Sequence, residues 1–217
     1  MKGGSLSVVG TGIQVPGQMT LEAREHIAQA DKVFYLVPDP FARQYIRELN
    51  DTSEDLFPLY KPGLARIITY RKMVSTILAE VRKGKCVCAA FYGHPGVFAY
   101  PSHESVRLAR SEGYRAYKVP GISAEDCLIA DLGMDPAVGC HSYETTGFLI
   151  QPVPIVTSCM LILWQVGIIG DLKFTPTLGE SALGLEVLTQ KLLGPYPTDH
   201  PVTVYEASFS FSHLVAT

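Results

Sequence analysis

Three tyrosines and an arginine in this sequence are of types that could take up or stabilise charge if the fold brought them together. The segment LYKPGLARIITYRKMV carries Tyr60, Arg66 and Tyr70, and the stretch FYGHPGVF carries Tyr92. A guanidinium close to a phenol favours the phenolate, which can act as a base. A second phenol can stabilise a developing negative oxygen. Taken alone, however, Tyr60 fits a strand-end aromatic residue and Arg66 fits a solvated helix residue.

The spacing of Arg66 and Tyr70 predicts that they are neighbours on one helix. Residues four apart lie side by side on a helix surface. At about 100° per residue, the helix predicted over Leu64–Lys83 carries one apolar stripe, formed by Leu64, Ile67, Ile68, Val74, Leu78 and Val81. Arg66 and Tyr70 lie at the edge of this stripe. We therefore expect their polar ends to reach a cleft while their stems pack.

Two Pro-Gly loops each follow a predicted strand. The stretch AAFYGHPGVFAYPSH contains Pro95 and Gly96, and VPGISAEDCLIADLG contains Pro120 and Gly121. Loops at the carboxyl ends of parallel strands bind ligands in α/β sheets. Ser123 precedes an acidic residue by three positions, which is the spacing of a capping box. Its simplest role is therefore the N-cap of a helix, whose N-terminus can also border a ligand pocket.

The glycines of the first loop do not form a dinucleotide-binding fingerprint. The stretch SVVGTGIQVPG has a strand followed by Gly-x-Gly, but Val15 stands where the fingerprint requires a third small residue. Pro16 and Gly17 then lengthen the loop before the helix. We therefore exclude NAD or FAD binding at this loop.

Strand and helix patterns alternate along the chain, which predicts an α/β fold with a mainly parallel sheet. Strand signals lie at Ser5–Val9, Lys32–Val37, Leu56–Leu59, Lys85–Phe91, Tyr114–Val119, Met160–Trp164 and Val202–Tyr205. Helical patterns lie at Thr20–Ala30, Pro40–Leu49, Leu64–Lys83, Ser102–Glu112, Ser123–Leu132 and Ser181–Leu193. The stretch GMDPAVG at 133–139 interrupts the alternation and predicts a domain boundary.

The composition excludes several classes of protein. With 47% hydrophobic and 18% charged residues, the 217-residue chain is typical of an ordered globular protein. A formal net charge of −3 and the absence of a basic stripe argue against nucleic-acid binding. No apolar run approaches the length of a membrane helix, and the start lacks a signal-peptide core. Five cysteines, mostly in apolar strands such as that of Cys86 and Cys88, indicate reduced core residues and a cytoplasmic location.

Three segments together resemble the tetrapyrrole methylase superfamily, whose members transfer methyl groups from S-adenosylmethionine. They are VVGTGIQVPGQMTLEAREHIAQADKVFYLVPD, FYGHPGVFAYPSH and VPGISAEDCLIADLG. LWQ at 163–165 and VYEA at 204–207 match later strands of the family, so the resemblance extends over nearly the whole chain. It implies the two-domain class III methyltransferase fold, with a mainly parallel N-terminal sheet in 1–134 and a mixed C-terminal sheet in 135–217.

The resemblance also implies a cofactor and its binding residues. S-adenosylmethionine is expected between the two domains. Its predicted contacts are Pro95, Gly96, Val97, Phe98, Ser123, Ala124, Trp164, Gln165, Glu206 and Ala207. Methyl transfer from a sulfonium depends on positioning and electrostatics, and the six histidines show no ligand spacing. We therefore expect no metal. A valine at Gly96 is expected to fill the cofactor pocket.

Within the superfamily, YGHPGVF and the segment around Tyr60 are most similar to the borosin branch, which N-methylates backbone amides of ribosomally made peptides. Tyr60, Arg66, Tyr70 and Tyr92 match its catalytic pattern. A peptide N–H is hardly acidic, so we expect Tyr70 to take its proton, with Arg66 favouring the Tyr70 phenolate. Tyr60 would hydrogen-bond the imidate oxygen, and Tyr92 would orient the acceptor.

The resemblance further bears on partners. Fused borosin enzymes carry their substrate as a C-terminal tail, whereas this sequence ends at Thr217, before the family's last strands. We therefore expect the split type, with a separate precursor peptide chain and a shortened second domain. The resemblance also implies a homodimer. Two alternatives stay open: a tetrapyrrole C-methyltransferase, whose acceptor trough would suit an anionic macrocycle, and a non-catalytic peptide-binding partner subunit.

Overall fold

Two parallel sheets organise the computed structural model, which describes residues 3–174 and 182–209. The larger sheet has the strand order β3-β2-β4-β1-β5 and consists of β1 (Ser5–Gly10), β2 (Lys32–Leu36), β3 (Glu54–Asp55), β4 (Cys86–Phe91) and β5 (Arg115–Val119). The smaller sheet pairs β6 (Cys140–Glu144) with β7 (Met160–Trp164). The α/β fold with a parallel sheet predicted from the sequence is thus confirmed.

Seven α-helices connect or cover these strands within the described residues. They are α1 (Leu21–Gln29), α2 (Pro40–Leu49), α3 (Arg66–Arg82), α4 (Tyr100–Ser111), α5 (Ala124–Leu132), α6 (Thr145–Ile150) and α7 (Ala182–Leu192). Side-chain caps define several of the starts, because the first N–H groups of a helix lack internal partners. Thr20 and Asp39 accept hydrogen bonds from the first turns of α1 and α2. None of the helices in the described part of the chain has the length and apolar character needed to cross a lipid bilayer.

The larger sheet lies between two helical layers. On one face, Leu6 and Val8 of β1 pack with Met73 and Ile77 of α3. On the other face, Val9 packs in a cluster that includes Ile27 and Ile46, from α1 and α2. Neighbouring side chains of β1 thus enter opposite layers, as the alternation of a strand requires. A third cluster, around Phe148 of α6 and Leu188 of α7, includes Leu161 and Leu163 of β7.

The register of the larger sheet aligns the loops that follow its central strands. Gly10 at the end of β1 pairs with Phe91 at the end of β4, and Leu36 at the end of β2 also pairs with Phe91. Val9 pairs with Val119 of β5. All four strands are parallel, so the loops after them emerge at one edge. This carboxyl edge is where α/β sheets bind ligands.

Several elements differ from the sequence prediction. Phe57–Leu59 form a 3₁₀ turn after the short strand β3, because Pro58 has no N–H to give to a strand ladder. The predicted strand Val202–Tyr205 has no strand assignment. The pair β6 and β7 is parallel, so the prediction of a mixed second sheet is wrong for the described residues. β6 and α6 were not predicted, and Ser181 lies outside the described residues. Cys88 is buried as expected, whereas Cys86 is exposed.

Candidate active site

The four predicted catalytic residues lie together at the carboxyl edge of the larger sheet. Tyr60 follows the 3₁₀ turn, Arg66 and Tyr70 lie in the first turns of α3, and Tyr92 directly follows β4. The Tyr60 and Tyr70 rings meet edge to face, with their centroids 6.3 Å apart. Tyr92 is close enough to interact electrostatically with Tyr70 and Arg66. We call these four residues the tyrosine cluster.

The apolar stripe predicted for α3 is correct beyond its first turn and wrong within it. The buried side chains are Thr69, Met73, Val74, Ile77, Leu78 and Val81. Ile67 and Ile68 are instead 39% and 42% exposed, and Leu64 precedes the helix. Arg66 and Tyr70 are half-buried. They therefore occupy the boundary between core and surface, where a polar end can reach a cleft.

Desolvation raises the pKa of two phenols in the cluster, Tyr60 and the 49% exposed Tyr92. It raises the pKa of Tyr60 well above the ordinary value, and proximity to Tyr70, a hydrogen bond with Tyr70 and proximity to Tyr92 add to this rise. Desolvation likewise raises the pKa of Tyr92, with a further contribution from Tyr70. The positive charge of Arg66 acts in the opposite direction on both pKa values but is outweighed. Tyr60 and Tyr92 therefore stay protonated near neutral pH and can donate hydrogen bonds.

Other aromatic rings that sequence reasoning missed extend the tyrosine cluster. Tyr100 stacks on Tyr70, with centroids 5.9 Å apart and an interplanar angle of 26°. Phe174 lies 4.9 Å from Tyr60 between ring centroids, and Phe57 contacts both of these rings. Tyr100 occurs in the same stretch as Tyr92, which was a usable signal. Phe174 is more than a hundred positions from Tyr60 in the sequence, so no local pattern could have placed it there.

A short segment from beyond β7 binds the start of α3. We call residues 171–174 the bridging segment. The Gly63 N–H donates to Phe174 O and the Phe174 N–H donates to Leu64 O, both at 3.0 Å. The Arg66 N–H donates to Leu172 O at 2.9 Å. The bridging segment thus pairs in antiparallel fashion with residues 63–66, next to the tyrosine cluster.

The Pro95–Phe98 loop is held by its own side chains. The Gly96 N–H donates to His94 Nδ1 at 2.9 Å, and Ser102 Oγ donates to Pro95 O at 2.5 Å. A Cβ at Gly96 would lie 2.9 Å from Cε1 of His94. A side chain at Gly96 would thus first meet the His94 ring. The structure therefore gives a reason for glycine here that differs from the expected filling of a cofactor pocket. Phe98 has a φ of 48°, a strained conformation for a bulky residue that is typical of functional loops.

Three glycines bring the first loop and both Pro-Gly loops into backbone contact. A Cβ on Gly121 would lie 2.6 Å from Gly93 O and 2.8 Å from the Cα of Gly10. A Cβ on Gly10 would lie 2.4 Å from the same Gly93 oxygen. Side chains are therefore impossible at this junction without moving the backbone. Gly10, the glycine at the start of the first loop, thus serves this packing.

The start of α5 is joined to the smaller sheet by hydrogen bonds. Ser123 forms the predicted capping box with Asp126. One residue beyond Ala124, Glu125 accepts a 2.6 Å hydrogen bond from Ser142 Oγ. The same hydroxyl accepts a 2.8 Å hydrogen bond from Trp164 Nε1. These two hydrogen bonds connect Trp164 of β7 with the first turn of α5. Gln165, the next residue after Trp164, has a positive φ of 63°.

The segment with Glu206 and Ala207 lies against α5 and the first loop. The Tyr205 hydroxyl donates to Asp131 Oδ2 at 2.8 Å, and Gln14 Nε2 donates to Ser208 O at 3.2 Å. Ser208 and Ile122 line one open cavity of about 590 Å³. The residues that line this cavity include none of the predicted cofactor contacts, although Ile122 and Ser208 are direct neighbours of Ser123 and Ala207 in the sequence. Half-exposed Val97 and Phe98 on the Pro95–Phe98 loop offer apolar surface, and the α5 N-terminus offers backbone N–H groups. This combination fits a ligand with an aromatic base and an amino-acid end.

The fold and these loops define an α/β protein of the class III methyltransferase type. The structure is similar to that of uroporphyrin-III-C-methyltransferase from Thermus thermophilus, with a TM-score of 0.57 and 20% identity, covering 74% of this chain and 67% of that one. The sequence model of the Tetrapyrrole (Corrin/Porphyrin) Methylases matches residues 5–149. The chain belongs to this tetrapyrrole methylase family.

Fungal proteins provide more similar sequences. The methyltransferase/ribosomally synthesized cyclic peptide omphalotin A precursor of Omphalotus olearius is 47% identical over 95% of this chain and 50% of its own length. The gymnopeptides precursor of Gymnopus fusipes is 47% identical over 94% of this chain and 49% of its own length. A type I borosin cyclic peptide precursor of Coprinopsis marcescibilis is 46% identical over 95% and 53%, respectively. The chain thus spans about half the length of these relatives.

Proposed function

We propose that this protein uses S-adenosylmethionine to N-methylate backbone amides of a ribosomally made precursor peptide. The observation that carries the proposal is the tyrosine cluster, whose four residues meet at the carboxyl edge next to two Pro-Gly loops. The fungal relatives, described as methyltransferases and peptide precursors, support the same substrate class.

The cofactor would bind between the residues predicted from the sequence. The Pro95–Phe98 loop and the Ser123–Ala124 helix start would hold it on one side. Trp164, Gln165, Glu206 and Ala207 would complete the pocket on the other. When bound, S-adenosylmethionine supplies an electrophilic methyl group. The half-exposed ring of Phe98 would contact its aromatic base, and N–H groups at the start of α5 would bind a carboxylate.

The tyrosine cluster would handle the acceptor amide. The amide nitrogen would accept the methyl group that S-adenosylmethionine supplies, and the amide proton would pass to the oxygen of Tyr70. Tyr60, which keeps its own proton, would donate a hydrogen bond to the carbonyl oxygen as negative charge develops there. Tyr92 would orient the acceptor, and the positive charge of Arg66 would lie close to the phenols as negative charge develops on the acceptor.

The division at residues 134 and 135 into two domains and the assembly into a homodimer belong to the same proposal. The five free thiols suit the proposed cytoplasmic location. A precursor supplied as a separate chain stays a prediction, because the relatives are described as methyltransferase and precursor in one protein. Light scattering tests the dimer, and a monomer mass at all concentrations would refute it.

Co-expression with a candidate precursor peptide, followed by mass spectrometry, tests the activity. The expected result is a series of peptide masses that differ by one methylene unit, with fragments that place the added methyl groups on backbone nitrogens. Methylation of a uroporphyrinogen-type macrocycle but not of the peptide would favour the tetrapyrrole C-methyltransferase. Calorimetry with S-adenosylmethionine provides the third distinction, because a non-catalytic partner subunit would give no binding heat.

A further inference from the structure

One acidic side chain of the bridging segment contacts the guanidinium of the tyrosine cluster. Asp171 Oδ2 lies 3.5 Å from Nη2 of Arg66, and both side chains are shielded, at 28% and 22% exposure. Arg66 Nε also donates a 3.0 Å hydrogen bond to Lys173 O. The guanidinium is therefore held at two of its nitrogen atoms by a segment that lies more than a hundred positions away in the sequence.

The main-chain pairing makes this attachment specific. The antiparallel bridge between Ala65 and Lys173 fixes the register of the bridging segment against the start of α3. Within this register, Asp171 faces the guanidinium and Phe174 packs on Tyr60, at 4.9 Å between ring centroids. One four-residue segment thus contacts two members of the tyrosine cluster, one through charge and one through an apolar ring.

We propose that Asp171 is a positioning residue that fixes the orientation of the Arg66 guanidinium towards the tyrosines. This inference rests on the proposed peptide N-methylation for its kinetic consequence but not for its structural content. A planar guanidinium held at Nε and Nη2 loses the rotational freedom of a long side chain, so its remaining N–H donors keep one direction. Electrostatic stabilisation of a reacting group requires such preorganisation. The bridging segment, which follows β7 of the smaller sheet, would thus link that sheet to the acceptor site.

Asp171→Asn tests this role in the 217-residue chain. The substitution keeps the size of the side chain but removes the charge, so a charge-assisted interaction is lost. The kcat for peptide methylation should fall roughly tenfold or more, with the KM for S-adenosylmethionine unchanged. Asp171→Glu, which restores a carboxylate, should recover a large part of kcat. Glu112→Gln is the matched control, because it breaks the ion pair with Arg82 at the opposite end of α3 and should leave kcat unchanged.

A second measurement does not depend on activity. The Nε–H of Arg66, assigned by its loss in Arg66→Lys, should exchange slowly with solvent in the unmodified protein, as detected by NMR. In Asp171→Asn this exchange should become faster by roughly an order of magnitude, and Asp171→Glu should restore it. If the unmodified protein methylates no peptide, the proposed function fails while the NMR result still decides the positioning role. Unchanged exchange in Asp171→Asn, or an unchanged kcat in a functioning enzyme, would overturn the inference.

Discussion

Tyr60 and Tyr70 lie edge to face, with their ring centroids 6.3 Å apart, and the proximity of Tyr70 adds to the rise that burial causes in the pKa of Tyr60. Because Tyr60 keeps its proton, its hydroxyl can donate a hydrogen bond, and Tyr70 is a neighbouring phenol. The pair is thus asymmetric although the two side chains are chemically identical. Such an asymmetry would suit the proposed roles of Tyr60 as hydrogen-bond donor and Tyr70 as base.

Tyr70→Phe should separate binding from chemistry. The ring contacts with Tyr60 and Tyr100 are kept, and only the oxygen that would accept the amide proton is removed. Peptide methylation should fall by about two orders of magnitude or more, while calorimetry should show unchanged binding of S-adenosylmethionine. Tyr117→Phe, a partly buried tyrosine on the opposite face of the sheet, is the control and should retain full activity. Methylation by Tyr70→Phe at a near-normal rate would transfer the role of base to Tyr60 or to water.

Tyr60→Phe should alter the stability of the protein in alkaline solution. The pKa of Tyr60 is raised in the folded state, whereas the unfolded chain loses this proton at a pH of about 10. The stabilising effect of Tyr60 is therefore fully present below that pH and is lost as the pH rises towards the folded-state pKa. Urea unfolding from about pH 8 to about pH 11 should show a shallower fall in the free energy of unfolding for Tyr60→Phe. Parallel curves for the two proteins would show that the environment of Tyr60 does not raise its pKa.

Gly121→Ala should disturb both Pro-Gly loops at once. The added Cβ would lie 2.6 Å from Gly93 O and 2.8 Å from the Cα of Gly10, so the backbone must move. We expect a loss of about 1–3 kcal/mol in the free energy of unfolding, together with weaker calorimetric binding of S-adenosylmethionine. Gly194→Ala is the control, because its Cβ would meet Lys191 O at an ordinary 3.6 Å. Normal stability and normal binding in Gly121→Ala would contradict the close junction of the three loops.

Ser142→Ala should loosen the connection between the smaller sheet and α5. Its hydroxyl accepts from Trp164 Nε1 and donates to Glu125 Oε2, so its removal leaves two polar atoms without this partner. We expect a loss of about 1–3 kcal/mol in chemical unfolding and a severalfold weaker affinity for S-adenosylmethionine. Ser111→Ala removes an exposed hydroxyl that bonds only within the end of α4 and should change stability by less than about 0.5 kcal/mol. Equal effects of the two substitutions would argue against a structural role for the Trp164–Ser142–Glu125 connection.

Local sequence signals predicted the parallel core and its helix starts well. β4 is a short apolar run, α2 begins at Asp39 followed by Pro40, and Ser123 caps α5 with Asp126. Each of these signals acts within a few residues, because strand burial and helix capping depend on nearby side chains and backbone groups. Where a single residue disrupted the pattern, as Pro58 does after β3, the predicted strand was wrong.

The sequence by itself determined the α/β class, the two Pro-Gly loops and the set of four candidate catalytic residues. Only the tertiary structure decided their surroundings. The attachment of Asp171 to Arg66, the contact of Phe174 with Tyr60 and the junction of Gly10 with Gly121 join residues more than a hundred positions apart. The protonation of Tyr60 likewise follows from burial and from neighbouring phenols, which exceed the effect of the nearby guanidinium. Such contacts and desolvation depend on how the sheets and helices pack in three dimensions, and no spacing along the chain specifies them.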